Sequence, residues 1–510
     1  MHDAVVIGSG FGGAMAAHRL VRAGWRVLMI ERGGWVPKGS ARRHPLACHE
    51  RTAHYSKQSA YRCLAGGEAA EIASLFCVGG PSVFYGGASF RLREEDFAPG
   101  PDIVNGSRAA WPIDYHALEP YYDEAERILG VAGDDRDDPT RPPRSAPYPH
   151  QPPPLTPLSR RFRDSALELG LHPFPIPLAI NFSRHNGRPA CDLCRRCDTY
   201  ACALEAKNST DVAVIGPTRD RGHEVRANTA VTRLVESRGR VTEVVARELA
   251  TGEAVSFRAR HVLLAAGALA SPHLLMASGL ERLNPAGPAV GAYLMRHACA
   301  MVFGFCNDRP DPGRMFHKHL AVADYYGCGP GAPQRLGSLQ QVSTPPYVMI
   351  ESRAPFPFRG IPLHGFVEHL VGTLAIAEDE PQAANGVRVD WSERDAIGLP
   401  RLEIRHAYSM GDEARRRGLV RRARRILRGL GAWSCYAHPI TTFSHAVGTV
   451  RMGRDQSAAP LDEWCRFRGV ENLRVVDGSV MPTSGAVNPS LTIAALALRA
   501  ADHLVREDAG

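Results

Sequence analysis

A chain of 510 residues is longer than the roughly 250–300 residues that one hydrophobic core usually serves, which predicts two lobes. Apolar residues make up 44% and charged residues 22%, a balance that excludes disordered and fibrous classes. The excess of 61 Lys and Arg over 53 Asp and Glu, a net of +8, is too thinly spread for a nucleic-acid binder. No run approaches the roughly eighteen apolar residues of a membrane span.

The first apolar run, Ala4-Val5-Val6-Ile7, is too short for the core of a signal peptide and leads directly into Gly8-Ser9-Gly10-Phe11-Gly12-Gly13. With twelve cysteines and no export signal, the expectation is a reduced, cytoplasmic protein without a disulfide framework. A helical pattern from Ala14 to Ala23 follows, and then a second apolar run, Val27-Leu28-Met29-Ile30, ending at Glu31-Arg32. Strand, glycine turn, helix, strand and acid in this order predict a site for adenosine diphosphate. Gly8 permits the tight turn, Gly10 lets a pyrophosphate approach the backbone, and Gly13 lets the helix pack on the strand. Glu31, 18 residues past Gly13, is placed to accept hydrogen bonds from ribose hydroxyls. NAD and FAD both carry that moiety.

Gly79, Gly80, Ser82, Gly86 and Gly87 form a loop with little side chain, so that backbone can lie against a flat group. Trp111-Pro112 introduces an amphipathic helix from Tyr115 to Val131, and nine prolines between Asp134 and Pro157 then impose a loop. Cys191, Cys194, Cys197 and Cys202 follow the pattern C-x2-C-x2-C-x4-C, which suits free or paired thiols, an iron–sulfur cluster or zinc. Short β-type runs occupy Glu224 to Arg260. His261 to Gly267 reads as a buried strand ending in a turn, after which Ser271 caps a helix with Pro272 at its first position. Leu419, Val420, Ala423, Ile426, Leu427 and Leu430 form one stripe of a helix whose opposite side is arginine-rich, a solvated face or one that docks an acidic partner or a membrane surface.

The last 70 residues carry the chemistry. They contain His445-Ala446-Val447-Gly448-Thr449-Val450-Arg451-Met452-Gly453, then Asn472-Leu473-Arg474-Val475-Val476-Asp477-Gly478, then Asn488-Pro489-Ser490-Leu491 opening a helix. One strand and its turns separate His445 from Asn488, a spacing that can bring both to one cavity edge. An imidazole with an ordinary pKa of about 6.5 is largely neutral at pH 7 and suits removal of a hydroxyl proton. A carboxamide beside it can donate to a developing alkoxide without competing as a base. His297 and His438 read as core histidines.

Together with the N-terminal glycine motif, these segments resemble the glucose–methanol–choline (GMC) oxidoreductase family of flavoenzymes. Ala265-Ala266-Gly267-Ala268, Ser278-Gly279-Leu280 and Val290-Gly291 ahead of Leu294-Met295-Arg296-His297 add matches in the middle. The resemblance implies an α/β fold: an FAD-binding Rossmann-like lobe from 1–98, 205–297 and 440–510, and a substrate-binding lobe built on a β-sheet from 99–204 and 298–439. It implies His445 as the base facing flavin N5 with Asn488 as partner. Around the cofactor it implies contacts from Arg32, Tyr85, Val231, Ala266, Gly267, Asp477, Gly478, Pro489, Ser490 and Leu491. Some relatives tether the flavin to a histidine in the glycine loop. Phe84-Tyr85 stands there in this chain, so FAD is expected to be held non-covalently. Val83 to Arg91 resembles the aminoglycoside 6′-dehydrogenase branch, which implies a primary hydroxyl of an amino sugar such as paromamine. Glu351 and Glu368 are then the candidates for meeting its ammonium groups. The alternatives are another sugar, polyol or sterol alcohol, or a flavin and iron–sulfur electron carrier without catalysis. The expected partners are a small-molecule alcohol and an electron acceptor, oxygen or a redox partner.

Overall fold

Apolar runs without polar alternation are the mark of strands covered on both faces, and in the computed structural model they form a five-stranded parallel sheet. The structure describes residues 2–65, 68–219, 221–327, 335–353 and 363–509. The strand order is Leu473–Val475, Ala259–Leu264, His2–Ile7, Val27–Ile30 and His223–Arg226. Val5 pairs with Val262 on one side and Leu28 on the other, and Val262 pairs in turn with Leu473. Helix Phe11–Arg22 leaves the first strand through the glycine turn and packs on the closing helix Ser490–Ala509, so both ends of the chain meet on one sheet.

A second sheet has six antiparallel strands, in the order Ala432–Pro439, Ala300–Cys306, Leu370–Ile376, Ser338–Val342, Leu320–Val322 and Pro173–Pro175. Its two faces are set by the period of two. Ala300, Val302, Gly304 and Cys306 are buried, whereas Met301, Phe303 and Phe305 between them are half-buried. Val302 and Cys306 pack with Leu419, Ala423, Ile426 and Leu427 of helix Met410–Gly429. That is the apolar stripe foreseen in the sequence, with Arg417, Arg421, Arg425 and Arg428 exposed behind it. Arg415 departs from the pattern: it is buried and paired with Glu380 at 2.9 Å and Asp412 at 2.7 Å. A four-stranded sheet joins Tyr55–Ala65 and Glu68–Leu75 to Pro400–Arg405 and Gly386–Arg394, crossing between segments assigned to different lobes from sequence. Thr229–Ser237, Arg240–Glu248 and Ala254–Phe257 form a three-stranded meander.

Two helix boundaries differ from expectation. The helix from Tyr115 ends at Leu129, because Gly130 takes a left-handed φ of 56° and stops it. The helix expected to start at Pro272 starts at Gly267, placing Pro272 inside it. Proline lacks the N–H that would bond the carbonyl four residues back, Ala268 O. The Thr449 hydroxyl donates to that oxygen instead, at 2.6 Å. Thr449→Val should therefore leave a buried carbonyl unpaired and cost about 1–3 kcal/mol, read as a lower midpoint in urea unfolding. Among the described residues no helix is long and apolar enough to cross a membrane.

Candidate active site

The C-terminal ends of the parallel strands and the half-buried face of the six-stranded sheet enclose a cavity of about 1480 Å³. Ligand sites usually occupy about 300–1,000 Å³, so this volume suits a large cofactor with a substrate beside it. Of the residues foreseen from sequence, the wall includes Gly8, Gly10, Gly12, Glu31, Arg32, Gly80, Ser82, Tyr85, Gly86, Val231, Ala266, Gly267, Asp477, Gly478, Pro489 and Ser490, together with His445 and Asn488. Gly13, Gly79, Gly87 and Leu491 stand outside the wall. Gly79 fixes the loop from behind, its N–H donating to Ser9 Oγ at 2.9 Å.

The nucleotide end is built for close backbone approach. A Cβ on Gly12 would lie 1.8 Å from Val476 O, whereas one on Gly10 would meet nothing within 4 Å and point into open space. Glu31 accepts from Ser9 Oγ at 2.6 Å, Ser9 N at 3.1 Å and Gly33 N at 3.0 Å. Burial pushes its pKa up against those donors. A carboxylate offers about four acceptor positions, so one remains for a ribose hydroxyl. Asp477 ties the glycine turn to the last strand, accepting from Gly267 N at 2.9 Å, Ser271 Oγ at 2.5 Å and Ser479 N at 2.9 Å. A cradle of glycines, a carboxylate at the end of the second strand and free space beside Gly10 fit a dinucleotide such as FAD.

At the other end, Asn488 Nδ2 lies 3.3 Å from His445 Nε2. The carboxamide is oriented from behind, since Gln340 Nε2 donates to Asn488 Oδ1 at 2.9 Å. On its far side His445 Nδ1 lies 3.0 Å from His297 Nδ1. The backbone explains why. Met295 and Val447 form an antiparallel bridge, bonding at 3.0 and 2.9 Å in the two directions, and two residues along each chain lie His297 and His445. Asp379 holds this turn by accepting from Arg296 N at 2.7 Å and His297 N at 3.1 Å, with His297 at a φ of 61° that side chains rarely adopt.

Hydrogen-bond direction along this chain is determined. His297 Nε2 faces Ser484 O at 3.1 Å and must carry the proton. His297 Nδ1 is then the acceptor, so His445 carries its proton on Nδ1 and keeps a lone pair on Nε2. Burial, the neighbouring His297 and the Lys318 ammonium lower His445 to about 3, and burial lowers His297 as well, so both rings are neutral at pH 7. The sequence singled out His445 and Asn488. It missed Gln340 and read His297 as core, although His297 touches His445 and His438 lines the cavity wall.

GMC oxidoreductase models match residues 12–299 and 381–497 of the chain. The chain belongs to the GMC oxidoreductase family. Members bind FAD and act on CH–OH groups. Among relatives, 6'''-hydroxyparomomycin C oxidase of Streptomyces lividus is 33% identical over 99% of this chain and 92% of its own. Paromamine 6'-oxidase of Streptomyces fradiae is 32% identical over 98% and 90%. The crystal structure of pyridoxine 4-oxidase from Mesorbium loti superposes with a TM-score of 0.68 at 23% identity, covering 98% of each chain.

Within this GMC oxidoreductase, Glu351 and Glu368 are not where a cationic substrate would need them. Glu351 accepts from Leu363 N at 2.9 Å, and Glu368 pairs with Arg195 at 2.7 Å and Arg314 at 3.5 Å; neither lines the cavity. Cys191, Cys194, Cys197 and Cys202 are free thiols around a small separate cavity next to Arg42, Arg43, Arg196 and Lys207. No three of their sulfurs lie within 4.8 Å of one another, too wide for tetrahedral zinc. Burial raises Cys191 to about 12 and raises Cys194 and Cys197 too, favouring the thiol forms. Lys207 ties this loop to the glycine loop of Gly79 to Gly87, donating to Cys197 O, Tyr200 O and Tyr85 O at 2.7 Å each.

Proposed function

We propose that the protein oxidises a primary alcohol to the aldehyde using non-covalently held FAD, with His445 as base and Asn488 as alkoxide partner. The observation that carries this is the directed chain from Ser484 O through His297, which leaves the His445 Nε2 lone pair beside the Asn488 amide at the cavity edge. The glycine cradle, Glu31, Asp477 and the turn at Pro489 and Ser490 would hold FAD, which when bound supplies the acceptor for the carbinol hydride. His445 takes the hydroxyl proton on Nε2 while the Asn488 N–H stabilises the oxygen as negative charge grows on it. The non-covalent state is supported by Tyr85, whose hydroxyl is engaged with Asn208 O at 3.0 Å. A hydrated aldehyde would present the same hydroxyl to His445, which extends the chemistry to the acid.

The names of the two antibiotic-modifying relatives make a hydroxymethyl group on a sugar or aminoglycoside such as paromamine one of the candidate substrates, beside another sugar, a polyol or a sterol alcohol. An electron carrier without catalysis is the competing function, and its flavin would stay oxidised when alcohols are added under nitrogen. Alcohol-dependent bleaching separates the two. Because His445 is lowered to about 3, it stays neutral as pH falls past the ordinary histidine value. Anaerobic stopped-flow reduction at saturating alcohol should be level between about pH 8 and pH 5, with no break near 6.5. A break there would place the base in water.

A further inference from the structure

The wall opposite the nucleotide end is mostly apolar, with His438 beside Met301 as a polar member of the same sheet face, and the sheet register shows how. Met301, Phe303 and Phe305 point into the cavity from one strand, Leu370 and Leu374 from the next, and Tyr436 from the edge strand. The mouth continues this surface: Phe366 is 48% exposed and Tyr436 58%, and the Phe366 ring lies 4.8 Å from that of Phe305. Exposed aromatics contiguous with a pocket mark a path for apolar ligands.

Charge on the same side has the wrong sign for an amine. Among the described residues, the carboxylates of the wall are Glu31, Asp198 and Asp477. The first and last belong to the nucleotide end, and Asp198 is neutralised by Lys318 at 2.7 Å. Arg296, stacked 4.5 Å over Phe443 and bonded to Thr441 O, adds a positive charge. Ammonium groups entering here would be desolvated without counter-charge, which is strongly unfavourable.

We infer that the substrate is an uncharged alcohol with an apolar body, aryl or branched alkyl, and that amino sugars are excluded; this rests on the alcohol-oxidation reading above. The test uses the FAD-loaded full chain and two readouts. In anaerobic titration calorimetry, 2-phenyl-2-propanol, which has no carbinol hydrogen to lose, should bind and paromamine should not. In anaerobic flavin reduction, benzyl alcohol should exceed paromamine by on the order of 100-fold in second-order rate constant, given the cost of burying unpaired ammonium groups. Phe303→Glu should remove most of that preference. Tyr436→Glu, at the half-exposed rim where folding is not at risk, should reduce it in the same direction. Paromamine binding and reducing flavin as well as benzyl alcohol overturns the inference while leaving His445 chemistry intact. Selective binding of 2-phenyl-2-propanol with no reduction by either alcohol supports the apolar site and defeats the oxidase reading. Failure of 2-phenyl-2-propanol to bind overturns the inference outright.

Discussion

His445→Ala should give protein that still binds FAD but is reduced by its alcohol roughly 10²–10⁴-fold more slowly, the span expected for a lost general base. The two effects separate because the elements are separate. The residues that would cradle the dinucleotide, Gly8, Gly10, Gly12 and Glu31, lie around the first two strands, whereas His445 follows the edge strand Ala432–Pro439 of the other sheet. Titration of apo-protein with FAD and anaerobic stopped-flow reduction check the two halves independently. Besides His445, the histidines and lysine that line the cavity are His49, His273, His438 and Lys318. If one of these were the base, His445→Ala would cost less than about tenfold, far below the range for a lost base.

His297→Leu should lower the reduction rate by about 10²-fold although His297 is one residue removed from the alcohol, because the His445 tautomer then loses its determinant. The 3.0 Å contact with His445 and the bond to Ser484 O make His297 a relay of orientation. A glutamine at 297 can reproduce both bonds, accepting from His445 Nδ1–H through its oxygen and donating to Ser484 O through its nitrogen. His297→Gln should therefore recover most of the rate lost in His297→Leu. Equal loss in both variants would mean that the ring serves only packing at this strained position. KM for the alcohol should change little in either, since the effect falls on the base.

The parts of the site that depend on local sterics were legible from the sequence. Gly12 must be glycine because Val476 O crosses where a side chain would stand, and such a requirement repeats as a spacing that can be read without a structure. His445 and Asn488 were legible because each sits in a distinctive stretch. His297 was not, because its role follows from the bridge of Met295 to Val447 across 152 residues of chain, which no local pattern reports. Gln340 was hidden for the same reason, reaching Asn488 only through strand order in the six-stranded sheet. Glu351 and Glu368 were misassigned because isolated carboxylates give no sign of their partners; Arg195, which claims Glu368, lies 173 residues away. The helix start at Gly267 was obscured by Pro272, whose penalty is offset by a hydroxyl from Thr449.

The most direct test is a single turnover under nitrogen: FAD-loaded protein mixed with a primary alcohol and with the same alcohol deuterated at the carbinol carbon. Bleaching of the flavin band by the first, and slower bleaching by the second, is the expected result, with both lost in His445→Ala. Flavin that stays oxidised across aryl, alkyl and sugar alcohols would contradict alcohol oxidation at this site, as would purified protein that takes up no flavin.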